Sequence, residues 1–303
     1  MDSQYRSFPC YSDSSGAPDF VVLASGSRAN SIAIIGSKSI LLVDCGLSDR
    51  EFRRRLSLVG LSHLPIAGIV ITHEHSDHVK GIKKIWESCR ASGNANTRAY
   101  MTSGTAEELS RSFIRQFPSR PGILSSGITA VIGEFEVRPF NILHDAAEPV
   151  GLVIQIANGT RIGIATDLGK VTHSVRDALR GVNGLIIESN HDLDRLLTCR
   201  YPWSLKQRIA SSRGHLSNQA AAALVAELLH ERLHYVVLGH LSEESNTPEL
   251  AFGTMQQVLQ TATPSMSMPA PIYLATACPK IPLIRNNLKS GGILSRTVAT
   301  SSV

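Results

Sequence analysis

The stretch from Ile69 to Gly81, "IVITHEHSDHVKG", decides the fold of this 303-residue chain, because it joins an apolar strand to a loop dense in metal-binding side chains. The strand ends at Thr72, and four ligand-type residues follow within six positions: His73, His75, Asp77 and His78. Neutral imidazoles and carboxylates are good ligands for zinc or manganese. The His-x-His spacing points two rings the same way and leaves Asp77 and His78 to face a second position. The stretch therefore predicts a metal site at the end of a buried strand.

Three further ligand-type side chains also follow predicted strands. His144 comes after "VRPFNIL", Asp167 after "TRIGIAT" and His240 after "HYVVLG". Side chains that project from one rim of a sheet converge on a common centre, which is where binding sites commonly form. Any one of the three alone would more often be structural, but the recurrence at strand ends indicates one shared metal site.

Outward from these residues, short apolar strands alternate with helices across most of the chain. Strands are predicted at 21–23, 31–35, 40–43, 69–71, 128–132, 135–142, 150–157, 184–188, 235–239 and 272–276, and helices at 48–59, 79–89, 105–115, 218–231 and 248–260. Asn158-Gly159 predicts a two-residue hairpin turn in which both central residues have positive φ. Mixed strands with helices in both halves predict an α/β (α+β) fold in which two sheets pack together with helices outside.

Length and composition place the folded part of the chain between about residues 20 and 285. With 43% hydrophobic and 18% charged residues, the chain has enough apolar material for a substantial core, which excludes disorder for its bulk. Residues 1–19 are rich in Ser, and the tail over 286–303 is polar with many small residues. We therefore expect one domain over 20–285, a disordered N-terminal extension over 1–19 and a flexible C-terminal tail over 286–303.

Charge and cysteine content say more about the cellular compartment of the protein than about its binding partner. The net charge of +5, from 30 Lys and Arg against 25 Asp and Glu, suits an anionic partner but is common in ordinary enzymes. The five cysteines are widely separated and lack a C-x-x-C pair, which argues against a disulfide framework and a cysteine zinc site. No apolar run reaches the length of a leader core or a membrane span. We therefore expect a cytoplasmic protein with no membrane partner.

The motif formed by His73, His75, Asp77 and His78 resembles the hallmark of the metallo-β-lactamase fold superfamily. The resemblance implies a four-layer αββα sandwich of two mixed sheets with outer helices. It also implies two divalent metal ions per chain, Zn²⁺ or Mn²⁺, since the ligand types suit either metal. The implied ligands of one ion are His73, His75, His144 and Asp167. Those of the other are Asp77, His78, Asp167 and His240, so that Asp167 is shared.

Further stretches resemble one branch of that superfamily, the YycJ/WalJ (VicX) group of nucleases, over residues 21–280. They are "LASGSRANS", "LLVDCGLS", "IIESNHD", "GHLSN" and "LGHLSEESNTPELA". Only 22 residues separate His144 from Asp167 and 24 separate His215 from His240, which leaves no room for the long arm of the tRNA-processing enzymes or a β-CASP insertion. The resemblance implies a 5′-to-3′ DNA exonuclease with a part in repair. One departure is Ala29, where the family pattern has glycine.

Three residues are predicted to carry the chemistry beside the metal ions. Two divalent ions roughly 4 Å apart lower the pKa of a bridging water and place it in line with a phosphorus or carbonyl atom. Asp77, besides binding metal, is expected to orient that water or act as general base. His215 resembles the histidine that RNase Z-like nucleases place near the scissile phosphate, where it protonates the leaving oxygen. Glu188 resembles the carboxylate that orients this histidine; the alternative for His215 is a backbone-bonded histidine before the helix that Ser217 caps.

The segment from Arg195 to Arg213 carries the whole net charge of the chain, because it has five basic residues and no Asp or Glu. Basic groups neutralise phosphates, and aromatic faces stack on unpaired bases. The candidate contacts to a nucleic acid in this segment are Arg200, Tyr201, Trp203, Lys206, Arg208 and Arg213. His191 is a further candidate, either as a substrate contact or as a residue that supports the ligands from behind, with a plain loop role as its alternative. The alternative for the whole segment is a solvated linker whose aromatic pair lies in the core.

The residues favour a dinuclear metal-dependent phosphodiesterase acting on nucleic acid, with DNA preferred over RNA. Two other functions use the same ligands and stay open. One is a small-molecule hydrolase of the lactonase or glyoxalase type. The other is a metal-binding regulatory protein without catalysis.

Overall fold

The strand that leads into the metal-binding loop lies inside a mixed sheet. This computed structural model describes residues 20–93, 97–112, 120–262, 273–276 and 283–284. Within those ranges the first sheet has seven strands: β1 Phe20–Ala24, β2 Ser31–Ile35, β3 Ile40–Val43, β4 Ile66–Val70, β5 Ala99–Met101, β6 Gly122–Ile123 and β14 Leu283–Ile284. Their order is β14-β1-β2-β3-β4-β5-β6. The strands from β3 to β6 run parallel, so their carboxyl ends meet at one edge.

A second sheet of seven strands packs against the first, counted over the same described residues. Its strands are β7 Ala130–Ile132, β8 Phe135–Asn141, β9 Val150–Gln155, β10 Arg161–Ala165, β11 Gly184–Glu188, β12 Tyr235–Gly239 and β13 Tyr273–Thr276. The order is β13-β12-β11-β10-β9-β8-β7, in which β10 to β13 are parallel and β7 to β10 are joined antiparallel. This sheet therefore also brings parallel carboxyl ends to one edge.

The helices lie outside the two sheets. Those that follow strands of the first sheet are α1 Asp49–Leu58, α2 Ser76–Val79, α3 Ile82–Ala91 and α4 Ser103–Ser112. Those of the second half are α5 His173–Leu179, α6 Leu193–Thr198, α7 Trp203–Ile209, α8 Asn218–Glu227 and α9 Pro248–Ala262. The predicted helices at 48–59, 79–89, 105–115, 218–231 and 248–260 correspond to α1, α3, α4, α8 and α9, and residues 113–115 fall outside the described ranges.

Alternate residues of each strand face different layers, as the period of a strand requires. On the first sheet, Val22 and Ile34 join a core shared with the second sheet, whereas Val21 and Ala33 pack with residues of α1 and α3. On the second sheet, Ile164 belongs to the shared core and its neighbour Ala165 packs with residues of α5 and α8. Strands buried on both faces explain the continuous apolar runs of the sequence. The predicted four-layer αββα sandwich is confirmed.

The predicted hairpin is present, but its turn differs from the expected one. β9 and β10 pair antiparallel, and the amide of Ile156 donates to the carbonyl of Thr160 across a loop of Ala157, Asn158 and Gly159. Only Gly159 has a positive φ, of 84°. The prediction of a two-residue turn was therefore wrong. A type I turn followed by a left-handed glycine is a common three-residue hairpin connection.

Other predictions from composition meet the structure only in part. The expected extension over 1–19 and the tail over 286–303 lie outside the described residues. Cys45, Cys89 and Cys199 are free thiols, while Cys10 and Cys278 also lie outside the described ranges. Among the described helices, none is long and apolar enough to cross a membrane.

Candidate metal centre and nucleic-acid interface

The predicted metal ligands meet at the carboxyl edge of both sheets. His73, His75, Asp77 and His78 follow β4, and they face His144 after β8, Asp167 after β10 and His240 after β12. Three groups made of predicted ligands alone have ligand atoms within 4.8 Å of one another: His73 with His75 and His144, His73 with His78 and Asp167, and Asp77 with His78 and His240. A fourth group joins Asp167 and His240 with Glu188 and His215. The convergence expected from the sequence is therefore present in the fold.

Asp167 lies between the two predicted ligand groups. Its Oδ2 is 3.3 Å from Nε2 of His78, and its Oδ1 is 3.4 Å from Nδ1 of His240 and 3.9 Å from Nε2 of His144. On the other side of the cluster, Nδ1 of His75 is 3.1 Å from Nε2 of His73 and 3.3 Å from Nε2 of His144. Oδ2 therefore lies near one member of the second group, whereas Oδ1 lies near members of both groups, so this carboxylate is close to ligands of the two groups at once.

Three strand ends reach this centre through strained backbone. Asp44, Asp167 and His240 have φ of 60°, 57° and 52°, and they are the non-glycine residues with positive φ in the described chain. A left-handed conformation at a residue with a Cβ costs about 1–3 kcal/mol, and such strain collects at functional sites. All three residues lie at the carboxyl ends of strands, where the sharp bend turns the side chain toward the cluster.

The histidine rings are oriented by acceptors behind them. Nδ1 of His78 is 2.8 Å from Oδ2 of Asp44, a buried carboxylate that also accepts hydrogen bonds from the backbone and hydroxyl of Thr72. Nδ1 of His144 is 3.2 Å from the carbonyl oxygen of Gly214. In both rings this leaves Nε2 directed into the cluster, which is how metal-ligating histidines are usually held. Sequence reasoning missed Asp44, although a carboxylate directly after "LLV" repeats the strand-end pattern of Asp167.

Glu188 connects the predicted general acid with a predicted metal ligand. Its Oε1 is 2.7 Å from Nδ1 of His215 and 2.7 Å from Nδ1 of His240. Its Oε2 accepts hydrogen bonds from the backbone amides of Leu168 and Leu216, at 2.9 Å and 3.1 Å. The carboxylate is fully buried, and all of these donors stabilise its charge. The side chain of His215 is 22% exposed, so its ring is accessible from outside the centre.

Electrostatics keep the carboxylates of the centre ionised. Burial raises the pKa of Glu188. The charge and hydrogen bond of His215, together with those of His240, lower this pKa by more than burial raises it, so that it lies at about 2. Burial likewise raises the pKa of Asp167, and the nearby His240 and His78 outweigh it and hold that pKa well below its ordinary value. Burial lowers the pKa of His73 and of His144, which favours neutral rings. Burial also lowers the pKa of His78 and of His240, but the neighbouring carboxylates outweigh it, which raises the pKa of His78 well above its ordinary value and that of His240 to about 10. Divalent metals bind ionised carboxylates and neutral imidazoles, so an ion bound here would displace a proton from each of these two rings.

Two buried polar atoms of the centre lack a hydrogen-bond partner among the described residues. Within the described residues, Oδ2 of Asp167 and Nε2 of His240 make no hydrogen bond. Buried polar atoms are almost always satisfied, so two atoms without a hydrogen bond among the other five predicted ligands need an explanation. The donor set is entirely nitrogen and oxygen, which zinc and manganese accept. The residues present therefore fit divalent ions.

The basic segment ends beside this centre. It comprises α6 from Arg195 onward, a short connection, α7 and the turn that leads to His215. The amide of His215 donates to the carbonyl of Ile209 at 2.9 Å, and the carbonyl of Gly214 is the acceptor that orients His144. The end of α7 is thereby fixed against the predicted ligands, and the segment is not a detached linker.

The candidate nucleic-acid contacts of this segment differ in their exposure and in whether they are already bonded to other residues. Nζ of Lys206 donates to the carbonyl of Leu197 at 2.6 Å, and Arg208 is 2.8 Å from Oδ2 of Asp145. Arg200 and Arg213 are exposed, and their guanidinium groups have no partner among the described residues.

The two aromatic candidates differ in the same way. Trp203 is 63% exposed at the start of α7, whereas Tyr201 is half-buried with its hydroxyl 3.3 Å from Oγ of Ser242. Trp203 therefore presents its ring to solvent, while Tyr201 is held against the body of the protein.

His191, the remaining candidate contact, is buried. It is 1% exposed, and its carbonyl accepts from the amide of Asn218 at 2.8 Å. Burial lowers the pKa of its ring to about 4, so it is a neutral core histidine. A contact between His191 and the substrate stays a prediction, and the burial of this residue favours the alternative of a plain structural role. Ser217 caps α8 as predicted, with its side chain accepting from the amide of Ala220.

The fold and the ligand cluster define a metallo-β-lactamase-type protein, and the comparisons agree. The model of the beta-lactamase superfamily domain matches residues 40–238, and the chain belongs to this family. Family membership together with the His and Asp clusters implies divalent-metal binding. A crystal structure of the metallo-β-lactamase fold protein YhfI from Bacillus subtilis superposes with a TM-score of 0.62 at 15% identity, covering 88% of this chain and 99% of that one.

Two named relatives are more similar in sequence. The chain is 35% identical over 242 residues to an exodeoxyribonuclease YycJ of Bacillus anthracis, which covers 80% of this chain and 89% of the relative. It is 33% identical over 254 residues to an exodeoxyribonuclease WalJ of Streptococcus pneumoniae, covering 84% and 93%. These alignments extend beyond the ligand motifs to most of the described fold.

Proposed function

We propose that this protein is a dinuclear metal-dependent phosphodiesterase that acts on nucleic acid as a 5′-to-3′ DNA exonuclease with a part in repair. The observation that carries the proposal is the His215–Glu188 pair beside the ligand cluster, because a metal centre with an adjacent general acid suits cleavage of a phosphodiester with a poor leaving group. The relatives named exodeoxyribonuclease support the same substrate class.

In this proposal the two ligand groups hold one divalent ion each, Zn²⁺ or Mn²⁺. His73, His75, His144 and Asp167 form the first site, and Asp77, His78, Asp167 and His240 form the second. The short distances from Asp167 to His78, His240 and His144 support a shared carboxylate. Bound there, divalent ions lower the pKa of water and stabilise negative charge on a phosphoryl group.

The chain's own groups orient and transfer protons. Asp77 is the ligand-group carboxylate with the most exposed side chain, at 19%, and it accepts a hydrogen bond from the attacking water. His215 donates Nδ1–H to Glu188, so its Nε2 is the atom that protonates the leaving oxygen. Glu188 holds the ring in that tautomer while its other oxygen is anchored by the amides of Leu168 and Leu216.

The nucleic acid approaches along the basic segment that ends at His215. Arg200, Arg213 and Trp203 contact it directly, because the guanidinium groups have no partner in the described chain and the indole is exposed. Lys206 and Arg208 contribute charge while they are held by Leu197 and Asp145, and Tyr201 supports the surface from behind. The catalytic domain spans 20–285, and free thiols at Cys45, Cys89 and Cys199 suit a cytoplasmic location.

The test is an assay of product length. Protein loaded with Mn²⁺ or Zn²⁺ is incubated with end-labelled single-stranded and duplex DNA and RNA, beside an Asp77→Ala variant. We expect mononucleotides released from the 5′ end of DNA by the unaltered protein and none by the variant. Failure to degrade any nucleic acid, with rapid hydrolysis of a thioester, lactone or lactam, overturns the proposal in favour of a small-molecule hydrolase. Metal uptake without hydrolysis of any substrate overturns it in favour of a regulatory metal-binding protein.

A further inference from the structure

The loop between β1 and β2, "SGSRAN" over residues 25–30, carries a side chain into the centre that the function above does not use. Asn30 is 4% exposed. Its Nδ2 is 3.0 Å from Oδ2 of Asp77 and 2.9 Å from Nε2 of His78. An amide group thus contacts two predicted ligands of the second ion.

The orientation of this amide is determined by its other partners. Oδ1 of Asn30 accepts from the backbone amide of Gly26 at 3.0 Å, and Nδ2 donates to the carbonyl of Gly26 at 3.1 Å. A backbone N–H only donates and a carbonyl only accepts, so the pair identifies which end of the side chain is oxygen and which is nitrogen. One N–H of Nδ2 therefore goes to Gly26, and the second is directed at Asp77 and His78.

The backbone holds Asn30 and Asp77 together as one unit. The amide of Asn30 donates to the carbonyl of Asp77 at 2.8 Å, and the carbonyl of Asn30 accepts from Gly46 at 2.9 Å. A Cβ on Gly46 would lie 1.7 Å from the carbonyl oxygen of Asp77 and 2.5 Å from the amide of Asn30, so this approach requires glycine. Ala29, the departure from the family pattern, is not among the residues with positive φ, and the left-handed position of the loop is Gly26.

We propose that Asn30 is a positioning residue that holds Oδ2 of Asp77, the oxygen that lies 3.4 Å from Nε2 of His78 and 3.8 Å from Nε2 of His240, and so fixes this carboxylate where it would ligate the second ion. A ring nitrogen of His78 that ligates an ion accepts no hydrogen bond, so the second N–H of Asn30 then belongs to Asp77 alone. Groups that hydrogen-bond a metal ligand typically change metal affinity by about 10–100-fold when they are removed. The inference rests on the proposed function only in taking Asp77 and His78 as ligands.

The test is a titration of the metal-free full chain with Mn²⁺ by calorimetry, in the absence of nucleic acid. Asn30→Ala and Asn30→Leu remove the donor, the second with little change in volume. Asn246→Ala is the matched control, because Asn246 is equally buried and bonded to Ser189 and Asn218 without contacting a predicted ligand. We expect both Asn30 variants to bind the second equivalent about tenfold more weakly while the first equivalent changes less than about twofold, and the control to keep both affinities.

Several results of this titration would overturn the inference about Asn30. Unchanged affinity for the second equivalent overturns the inference, and so does equal weakening of both equivalents, which would mean a general structural role. A single equivalent bound by the unaltered chain also overturns it. If neither Asn30 variant folds, a crystal structure of the Mn²⁺-loaded unaltered chain decides: Nδ2 within about 3.2 Å of Asp77 supports the inference and a longer separation overturns it. Because no substrate is present, these outcomes are independent of whether the protein is a nuclease.

Discussion

The cluster of predicted metal ligands with Glu188 and His215 differs in construction from the basic segment over 195–213. In the cluster, side chains such as His73, His78 and Glu188 are fully buried and most ring nitrogens have a fixed partner. In the segment, Trp203 and Leu197 are 63% and 59% exposed, and Arg200 has no partner in the described chain. The cluster is therefore rigid before any ligand arrives, whereas the segment keeps side chains free for contact.

This difference assigns distinct kinds of work to the two regions. Rigid, strained and buried groups suit the chemical step, because catalytic geometry must be held within fractions of an ångström. Exposed cations and an exposed indole suit recognition of a long anionic polymer. Substitutions in the cluster should therefore lower the rate of hydrolysis, and substitutions in the segment should lower affinity.

The largest expected effect is that of Asp167→Ala. It removes the carboxylate shared by both ligand groups and should abolish uptake of at least one ion. Because metal ions contribute several kcal/mol of transition-state stabilisation, we expect hydrolysis to fall by on the order of a thousandfold. Metal content by atomic emission and turnover of labelled DNA check it. A variant that retains two ions and near-normal turnover would contradict the role of Asp167 as a bridge.

His215→Gln should lower the rate without removing the metal. The ring contacts Glu188 but is outside the predicted ligand set, so both ions should still bind. Loss of a general acid costs about 10²–10⁴-fold in turnover. The discriminating control is a DNA substrate with a better leaving group, such as a nitrophenyl phosphodiester, on which the variant should recover most of its activity. Equal losses on both substrates would show that His215 acts only in structure.

The sequence is most informative about the cluster because each ligand is a local signal. A buried strand followed by His, Asp or another ligand type predicts the position of that side chain, and His73, Asp167 and His240 were found in this way. Asp44 obeys the same rule but was passed over, since its role depends on contact with His78, 34 positions away in the chain. Asn30 carries no local signal of function, because its contact with Asp77 exists only through the packing of two loops.

The sequence is less informative about the segment because exposure and pairing are tertiary properties. Five basic residues within one stretch predict a positive surface, but not that Arg208 pairs with Asp145 or that Lys206 donates to Leu197. Likewise, His191 lies in a polar stretch yet points inward. The fold itself was predictable in layers and strands, since apolar runs mark strands buried on both faces. The length of the hairpin loop between β9 and β10 was not predictable, because it depends on the pairing register of the two strands across residues 156–160.

The partner state of the cations predicts unequal effects within the segment. Arg200→Gln with Arg213→Gln removes two unpaired charges and should weaken DNA binding on the order of tenfold at low salt. It should also reduce the slope of log affinity against log salt by about 0.7–0.9 for each phosphate that is no longer neutralised. Lys206→Gln, which removes a cation already bonded to a carbonyl, should have a smaller effect on affinity. Fluorescence anisotropy across a salt series measures both, and equal effects of the double variant and Lys206→Gln would contradict the separation by partner state.

Trp203→Ala should weaken binding of single strands more than binding of duplexes. Stacking on an aromatic ring is worth about 1–3 kcal/mol per base, and only unpaired bases expose their faces. At the lower end this corresponds to about a fivefold loss of affinity, with turnover at saturation unchanged. Tyr201→Phe serves as the control, because it keeps the ring and removes only the hydroxyl that contacts Ser242. A loss of turnover at saturating DNA would place Trp203 with the cluster instead.

Glu134 gives the smallest expected effect and lies at the end of the sandwich opposite the centre, where it joins the β2–β3 turn to the β7–β8 turn. Burial raises its pKa, but hydrogen bonds from Ser37, Lys38 and Ser39 lower it further, from 4.5 to about 2. Its contribution to stability is therefore complete above about pH 4.5 and disappears as the pH falls through about 2. Because solvent screens this partly exposed carboxylate, Glu134→Gln should lower the free energy of unfolding by only about 1 kcal/mol at pH 7 and progressively less below pH 4.5, in urea titrations. Turnover should be unchanged in this variant, as in the exposed control Glu136→Gln. A loss of unfolding free energy that does not depend on pH would contradict this account, because it would mean that the packing of the Glu134 side chain, and not its charge, joins the two turns.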